Sequence, residues 1–216
     1  SVTGVQTCAL PIFLLHHLAT TWGRAKYAAL ALASGAADRV GLDNGTGWFL
    51  TRRVKDRGFG AQHEVDYWLE VAALLGGRSD NPRLEVTLGE EHRAWARERW
   101  ARLAVLRPTA VIHPGSGAFS VARRWPVDRF ATVARMLREQ LDLDVLALAG
   151  PSEDERALAR VLEGFGARVV DDAPTPLHLA AFLEGAAVVI GNDSGVLHLA
   201  SAVSRPVVAI FGPTND

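Results

Sequence analysis

The sequence predicts an α/β protein with a doubly wound parallel sheet in its carboxyl-terminal half. From Thr109 onward, short apolar segments rich in valine and isoleucine recur along the chain. Their continuous apolar character is typical of parallel strands that are buried on both faces. Segments whose apolar residues recur three and four positions apart alternate with them, as expected for helices. This alternation predicts βαβ units with right-handed crossovers.

The elements of this half are defined by their patterns. The predicted strands are TAVIHPG, DVLALAG, ARVV, AAVVIGND and RPVVAIFG. The predicted helices are VDRFATVARMLREQL, SEDERALARVLEGF, PLHLAAFLEGA and SGVLHLASAV. Ser152 followed by Glu155 is a capping-box pattern that marks the start of the second of these helices.

Residues 13–107 have a less regular pattern. A helix, a turn and a short strand RVGL are predicted in YAALALASGAADRVGLDNG, and two further helices in HEVDYWLEVAALLGG and GEEHRAWARERWARL. We expect a domain boundary near Arg107–Pro108. Residues 13–107 would then be the remnant of an amino-terminal domain, and residues 108–216 a second domain that is truncated at its carboxyl end.

The first twelve residues do not fit the pattern of the rest of the chain. Residues 2–12, VTGVQTCALPI, resemble the in-frame translation of a common DNA-sequencing adapter. No lysine or arginine precedes the apolar stretch, which argues against a secretory signal peptide. We therefore expect residues 1–12 to be an artefactual tail and the chain to be a fragment. Cys8, the single cysteine, lies in this tail, so no disulfide or cysteine metal site is expected.

Composition narrows the function classes. The formal net charge of −1 argues against nucleic-acid binding by bulk charge. No run of about 18 apolar residues occurs in the sequence. Walker, nucleophile-elbow and His-Glu-x-x-His motifs are absent from the sequence, which argues against the common NTPase, hydrolase and metalloprotease classes.

The first candidate site is the segment HPGSGAFSVARRWP, which follows a predicted strand. Gly115, Ser116 and Gly117 would let the backbone approach a phosphate and offer N–H groups to it. Arg123 and Arg124 follow in the same loop, with guanidinium groups suited to a diphosphate. The alternative is a glycine-rich turn followed by two solvated arginines.

The second candidate site is GNDSGVLHLA, after the strand AVVI. Asp193 occupies a predicted N-cap position, and the N–H groups of Ser194, Gly195 and the next residue would point out of the helix start toward an anion. His198 lies four residues after Ser194 on the same predicted face. The alternatives are an aspartate that only caps the helix and a histidine that packs in the core.

The third candidate site is GPSEDERALA. Glu153 lies in the first turn of a predicted helix and could reach ribose hydroxyls, as acidic residues do in dinucleotide-binding folds. The alternative is a carboxylate that only complements the helix dipole. Glu155 is explained by the capping box.

Together these loops resemble glycosyltransferase family 9, the ADP-heptose:lipopolysaccharide heptosyltransferases. The resemblance rests on HPGSG…ARRWPVDRF, on GPSEDE and above all on PLHLAAFLEGAAVVIGNDSGVLHLASAVSRPVVAIFGPTND. It implies the GT-B architecture, in which two Rossmann-like domains bind substrates between them. It also implies transfer of heptose, with inversion, from ADP-heptose to a lipopolysaccharide core acceptor, without a cofactor or metal.

The resemblance also implies roles for the residues of the first loop and of the third. Ser116 and Gly117 would hold the nucleotide diphosphate. Arg123 replaces a lysine of the family that pairs with the diphosphate and the sugar. Glu153 would bind ribose.

Further roles are implied at the carboxyl end of the sequence. Asp193 would contact hydroxyl groups of the donor sugar, while Ser194 and Gly195 would donate N–H groups to phosphate. His198 completes the same motif. Thr214 would lie in the closing GPT turn near the cleft.

The general base of the family is an aspartate in an amino-terminal loop that has no counterpart in this sequence, so the chain alone is expected to be inactive. The resemblance implies a cytoplasmic, monomeric enzyme that contacts the inner face of the inner membrane through its glycolipid acceptor. The alternatives are another GT-B enzyme, such as a UDP-sugar transferase or a 2-epimerase, and a nucleotide-binding fragment without turnover.

Overall fold

The chain folds into two compact units, Ser1–Pro82 and Arg83–Asp216. The computed structural model describes residues 10–212, without the side chains of residues 118–120. The division between the units lies before the predicted boundary near Arg107–Pro108. The reason is a helix of residues 90–103, which packs onto the carboxyl-terminal unit. There the indole N–H of Trp100 donates to the backbone oxygen of Phe182 at 2.9 Å, and the two rings stack at 4.6 Å.

The amino-terminal unit contains a parallel three-stranded sheet of order β1-β2-β3. Its strands are β1 (Ile12–Leu14), β2 (Arg39–Asp43) and β3 (Arg52–Lys55), and its helices are α1 (Thr21–Ala33) and α2 (Glu64–Ala73). The predicted helices and the strand RVGL are present. β3 was not predicted, because its sequence RRVK has one buried apolar residue, Val54, among exposed basic ones. β1 begins inside the expected tail, because Ile12 pairs with Arg39 through the backbone.

A buried histidine joins the strands of this unit to α2. Nδ1 of His17 lies 2.9 Å from the Asp56 carboxylate, and Nε2 lies 3.0 Å from that of Glu64. The rings of Phe59 and Tyr67 lie against the imidazole at 4.2 and 5.2 Å. Burial alone lowers the pKa of His17, but the hydrogen bonds and negative charges of the two carboxylates outweigh burial, and the pKa is raised.

The carboxyl-terminal unit contains a five-stranded parallel sheet of order β6-β5-β4-β7-β8. Its elements match the predicted strands and helices. They are α3 (Glu90–Leu103), β4 (Thr109–His113), α4 (Val127–Leu141), β5 (Asp144–Leu148), α5 (Glu153–Glu163), β6 (Arg168–Val170), α6 (Pro176–Leu183), β7 (Val188–Asn192), α7 (Gly195–Ala202) and β8 (Val207–Ile210).

The central strand β4 is buried along its whole length, as its apolar sequence predicts. Val111 faces one apolar cluster with Leu146 and Phe182, and Ile112 faces another with Phe130 and Leu162. From β4 the chain winds first toward β6 and then returns to β7 on the other side of β4. The connections on the two sides of β4 therefore run in opposite directions, which opens a crevice at the carboxyl ends of β4 and β7.

The raised pKa of His17 predicts a pH dependence of stability. The stabilisation from protonated His17 is complete below its ordinary pKa of 6.5 and is lost as the pH rises through the higher pKa of the folded state. Thermal unfolding of the wild-type chain should therefore shift downward between pH 6 and pH 9 by about 3–5 °C more than that of a His17→Gln variant.

His16→Gln is the matched control, because His16 is the exposed neighbour of His17. This variant should keep the wild-type pH dependence. Equal pH dependence in wild type and His17→Gln would show that the carboxylate pair does not stabilise the protonated imidazole.

Candidate functional site

The carboxyl ends of β4 to β7 surround a cavity of about 600 Å³. Four segments form its walls: the loop after β4, the turn after β5 with the start of α5, the segment between β6 and α6, and the start of α7. The lining residues with polar or charged side chains are His113, Ser116, Glu155, Arg156, Asp171, Thr175 and Ser194. The cavity therefore lies where an open α/β sheet binds its ligands.

All three predicted loops converge on this cavity, the third of them through Gly150, Pro151 and Glu155. Ser116 and Gly117 line it from the loop after β4, and Ser194 and Gly195 line it from the start of α7. The two segments are 77 residues or more apart in the chain and meet because β4 and β7 pair as parallel neighbours. The structure thus brings together four of the five residues predicted to face the diphosphate; the fifth, Arg123, does not line the cavity.

Asn192, the last residue of β7, fixes the loop after β4 at both ends. Its Oδ1 accepts the backbone N–H of Trp125 at 2.9 Å, and its Nδ2 donates to the backbone oxygens of Pro114 and Gly115 at 2.8 and 3.2 Å. The side chain is fully buried. Every polar group of the amide is thus used to hold the glycine loop against β7. Sequence reasoning gave Asn192 no role, although its place near the end of the predicted strand AAVVIGND was visible.

Glu155 holds the same loop from the opposite side. Its Oε1 accepts the backbone N–H of Gly117 at 2.9 Å, and its Oε2 lies 3.3 Å from the Ser152 hydroxyl. A Cβ added at Gly115 or Gly150 would lie 2.5 or 2.1 Å from the Glu155 carboxylate, so the two glycines admit this side chain between the loops.

The charge of Glu155 is set by two opposing effects. Burial raises the pKa of the carboxyl, but the hydrogen bonds from the Gly117 N–H and the Ser152 hydroxyl, together with the Arg124 guanidinium, outweigh burial and hold the pKa below its usual value. The carboxylate is therefore anionic at neutral pH. The N–H of Gly117 was predicted to serve a phosphate; instead it is already donated to this carboxylate, because Gly117 adopts a φ of 77°.

His113, at the end of β4, is also part of the cavity wall. Its Nδ1 lies 3.0 Å from the backbone oxygen of Leu148, and because a carbonyl can only accept, this nitrogen carries the proton. Burial lowers the pKa of His113, which leaves the ring neutral. The histidine therefore ties the end of β4 to the end of β5 without adding charge.

The start of α7 differs from the prediction in one respect. Ser194, and not Asp193, is the N-cap residue, and its side chain makes no capping hydrogen bond. Its Oγ is buried without a hydrogen-bond partner within the part of the chain that the structure describes. The first N–H groups of a helix have no intrahelical acceptor. The start of α7 thus presents donors to the cavity.

Asp193 instead forms an ion pair beside the cavity. Its carboxylate lies 3.2 Å from the Arg123 guanidinium. A Cβ at Gly212, after β8, would lie 2.8 Å from the Cα of Arg123, so the turn that follows β8 also packs against this segment. Neither Arg123 nor Asp193 lines the cavity, whereas Arg124 donates to the Ser116 hydroxyl at 3.2 Å.

The structure does not bring the remaining predicted residues to the cavity. Glu153 is exposed and pairs with Arg156 and Arg160 at 3.4 and 2.8 Å, because it lies two positions before Glu155 and points to the outer side of the same helix. Its predicted ribose contact has no support in this geometry. His198 is exposed on α7, neither in the core nor in the cavity wall. Thr214 lies outside the described residues.

Towards β6 the cavity becomes apolar. Leu148, Pro174, Pro176 and Leu179 line this part. Among residues 10–212, no group of three or more histidine, cysteine, aspartate or glutamate side chains is arranged to hold a metal ion. None of the helices described is long and apolar enough to cross a membrane.

The five-stranded parallel sheet, whose connections reverse direction at β4, has a crevice at its carboxyl edge and a glycine at the start of α7. These features define the class of Rossmann-like α/β units. The model of "Glycosyltransferase family 9 (heptosyltransferase)" matches residues 19–216. The chain therefore belongs to glycosyltransferase family 9, and the predicted GT-B type of α/β fold is confirmed.

Individual proteins agree with this assignment. Lipooligosaccharide heptosyltransferase 2 of Haemophilus influenzae is 34% identical in an alignment of 126 residues that covers 55% of this chain and 35% of that protein. The crystal structure of a family 9 glycosyltransferase from Veillonella parvula is 26% identical with a TM-score of 0.72, over 88% of this chain and 55% of that one. E. coli heptosyltransferase WaaC with ADP shares the fold, with 23% identity and a TM-score of 0.61 over 88% of this chain and 60% of that one. The chain thus spans about a third of the first protein and less than two thirds of the other two.

The contacts of Asn192 predict that Asn192→Asp loosens the loop after β4. A carboxylate cannot donate to the two backbone oxygens, and burying it there should cost about 2–4 kcal/mol of the free energy of unfolding. Hydrogen exchange of the backbone amides of residues 115–125 should become faster, as measured by mass spectrometry. Asn44→Asp, which removes a single bond to the Leu18 oxygen, is the control and should leave this loop unchanged. Unaltered exchange in Asn192→Asp would contradict the role of the amide.

Glu155→Gln and Glu153→Gln form a second matched pair on one helix turn. Glu155→Gln should lower the free energy of unfolding by about 1–2 kcal/mol at neutral pH, because the amide loses the charge that the Gly117 N–H stabilises. Glu153→Gln should change it by less than about 0.5 kcal/mol, since this side chain is exposed. Urea titration measures both values. The difference should shrink as the pH falls through the lowered pKa of Glu155.

Proposed function

We propose that this chain forms the donor-binding part of a heptosyltransferase that transfers heptose from ADP-heptose, with inversion, to a lipopolysaccharide core acceptor. One observation carries the proposal: the glycine loop after β4 and the start of α7 line one cavity, which continues into an apolar slot. A nucleoside diphosphate matches these two regions of the cavity: its diphosphate is anionic and suits the start of α7, and its base is an apolar ring that suits the slot. The names of the relatives, and the ADP in the E. coli structure, support the choice of donor.

The start of α7 is the proposed binding site for the diphosphate. Ser194 and Gly195 lie there at the positive end of the helix dipole, with N–H groups that lack intrahelical acceptors and a buried hydroxyl that lacks a partner in the described residues. When the bond to the anomeric carbon breaks, negative charge builds up on the leaving diphosphate. Donors that are already oriented stabilise this charge without reorganisation.

Ser116 and Gly117 form the opposite wall in this proposal. Because the N–H of Gly117 is donated to Glu155, Gly117 contributes by its lack of a side chain, and the ligand can approach its backbone closely. The Ser116 hydroxyl, which accepts from Arg124, links a guanidinium to this wall. Arg124 thus joins Arg123 as a cation near the diphosphate.

The pair Arg123–Asp193 is proposed to serve the donor sugar. Both side chains remain partly exposed, at 40% and 26%, so each can exchange its partner for a ligand group. Asp193 would accept hydroxyl groups of the sugar, and Arg123 would compensate charge on the diphosphate. His198, which is exposed on α7, would complete the motif that begins with Asp193.

We assign acceptor binding and proton transfer to the amino-terminal domain of family members. A general base must remove the proton of the acceptor hydroxyl, and the family uses an aspartate of the amino-terminal domain. The acceptor would be a glycolipid at the cytoplasmic face of the inner membrane, reached by a monomeric enzyme. No cofactor or metal takes part in the proposed reaction.

Gly195→Asp tests the proposed diphosphate site. A side chain at this position meets open space, and aspartate is favoured in the first turn of a helix, so the variant should fold. Its negative charge would face the diphosphate, and ADP binding measured by calorimetry should weaken at least about tenfold.

Gly195→Asn is the neutral control of nearly equal size and should retain most of the affinity. Equal affinities of the two variants would argue against an anion at the start of α7. Tighter binding of UDP than of ADP by the wild-type chain would replace the heptosyltransferase proposal with that of a UDP-sugar enzyme.

A further inference from the structure

A carboxylate without a partner lines the cavity at the end away from α7. Asp171 directly follows β6, the edge strand, and its side chain makes no hydrogen bond or ion pair with any residue that the structure describes. The next residue, Asp172, differs in both respects. It pairs with Arg99 at 2.8 Å and does not line the cavity.

The other polar side chains of the cavity wall near Asp171 are already engaged. The Thr175 hydroxyl caps α6 and lies 2.8 Å from Nδ1 of His178. Arg156 pairs with Glu153, and Glu155 accepts from Gly117. The side chains around Asp171 are otherwise apolar, and they are those of Leu148, Ala173, Pro174, Pro176 and Leu179. This end of the cavity is therefore an apolar slot, and Asp171, which is exposed, is the polar side chain of its wall that has no partner among the described residues.

The position of Asp171 in the sheet relates it to the proposed diphosphate site. The order β6-β5-β4-β7 places β6 three strand positions from β7, and a strand spacing of about 4.8 Å makes this about 14 Å. The start of α7 follows β7. A nucleoside diphosphate that lies across the sheet with its phosphates at α7 brings its base, the part farthest from the phosphates, to β6.

We propose that Asp171 recognises the exocyclic amino group of the nucleotide base and so selects adenine; this inference rests on the proposed function. An ionised carboxylate can only accept hydrogen bonds, and the N6 amino group of adenine is a donor. A base with a carbonyl oxygen at the same place would face the carboxylate with a second acceptor, which opposes binding. The apolar slot binds the ring of the base, and Asp171 distinguishes an amino group on that ring from a carbonyl oxygen.

Comparison of ADP with IDP tests this inference, because hypoxanthine has a carbonyl oxygen where adenine has its amino group. Calorimetric titration of the complete 216-residue chain should give about tenfold or greater preference for ADP, the range expected for a hydrogen bond to a charged group. Asp171→Asn should bind both nucleotides within about threefold of each other, because an amide can donate or accept. Asp172→Asn should keep the wild-type preference.

The outcomes separate the inference from the proposed function. Binding of ADP by the wild type with an unchanged ADP preference in Asp171→Asn would overturn the inference and leave the proposed function standing. Equal binding of ADP and IDP by the wild type would do the same. If the wild type binds neither nucleotide, both the proposed function and the inference fail. Melting temperatures of the variants, which replace exposed side chains, should remain near that of the wild type.

Discussion

The buried amide of Asn192 is the interaction on which the arrangement of the cavity depends. The reversal of the connections at β4 places the carboxyl ends of β4 and β7 side by side. It does not by itself fix the long loop that follows β4. Asn192 does this with three hydrogen bonds, one to each of Pro114, Gly115 and Trp125. Because these bonds hold the loop at its beginning and its end, residues 116 and 117 have a defined place opposite α7. The end of β7 therefore positions the segment that follows β4.

The glycines of the cavity have their explanation in a buried carboxylate as much as in a ligand. Glycine-rich loops are usually attributed to the close approach of phosphate, and that remains the proposed role of Gly117 and Gly195. Gly115 and Gly150, however, are needed because the Glu155 carboxylate occupies the space where a Cβ would lie. Removing a carboxylate from water is unfavourable unless its hydrogen bonds are restored, and the Gly117 N–H and the Ser152 hydroxyl restore two of them. The loop after β4, the start of α5 and the Glu155 carboxylate therefore stabilise one another.

The regular half of the chain could be predicted because its periodicities are strong. α4 covers Val127–Leu141, the same residues as the predicted helix. The prediction failed where the signal was weak or shared. β3 has a single buried apolar residue and was missed. α3 was predicted as a helix, but its highly charged sequence did not show that Trp100 packs on Phe182 and so joins α3 to the carboxyl-terminal unit. At the start of α5, sequence reasoning chose Glu153 as the ligand-binding residue because the capping box already explained Glu155. Glu155 nevertheless has two roles: its backbone N–H takes part in the cap, and its carboxylate holds the loop after β4. Asp193 and Ser194 are both common N-cap residues, and only the backbone geometry distinguishes them.

The two ends of the cavity differ in the groups they offer: backbone N–H groups at the start of α7, and a side chain near β6. At α7 the available groups are mainly backbone N–H donors, whose positions follow from the helix and from the pairing of β7 with β4. A substitution there changes these donors little unless it adds charge or bulk. Near β6, Asp171 is the polar side chain of the cavity wall that has no partner among residues 10–212, and a substitution changes this group directly. In the proposed function, the diphosphate end is therefore constrained by the fold, whereas the choice of base would depend on the replaceable side chain of Asp171. Such a division allows one scaffold to keep its diphosphate chemistry while its choice of nucleotide changes.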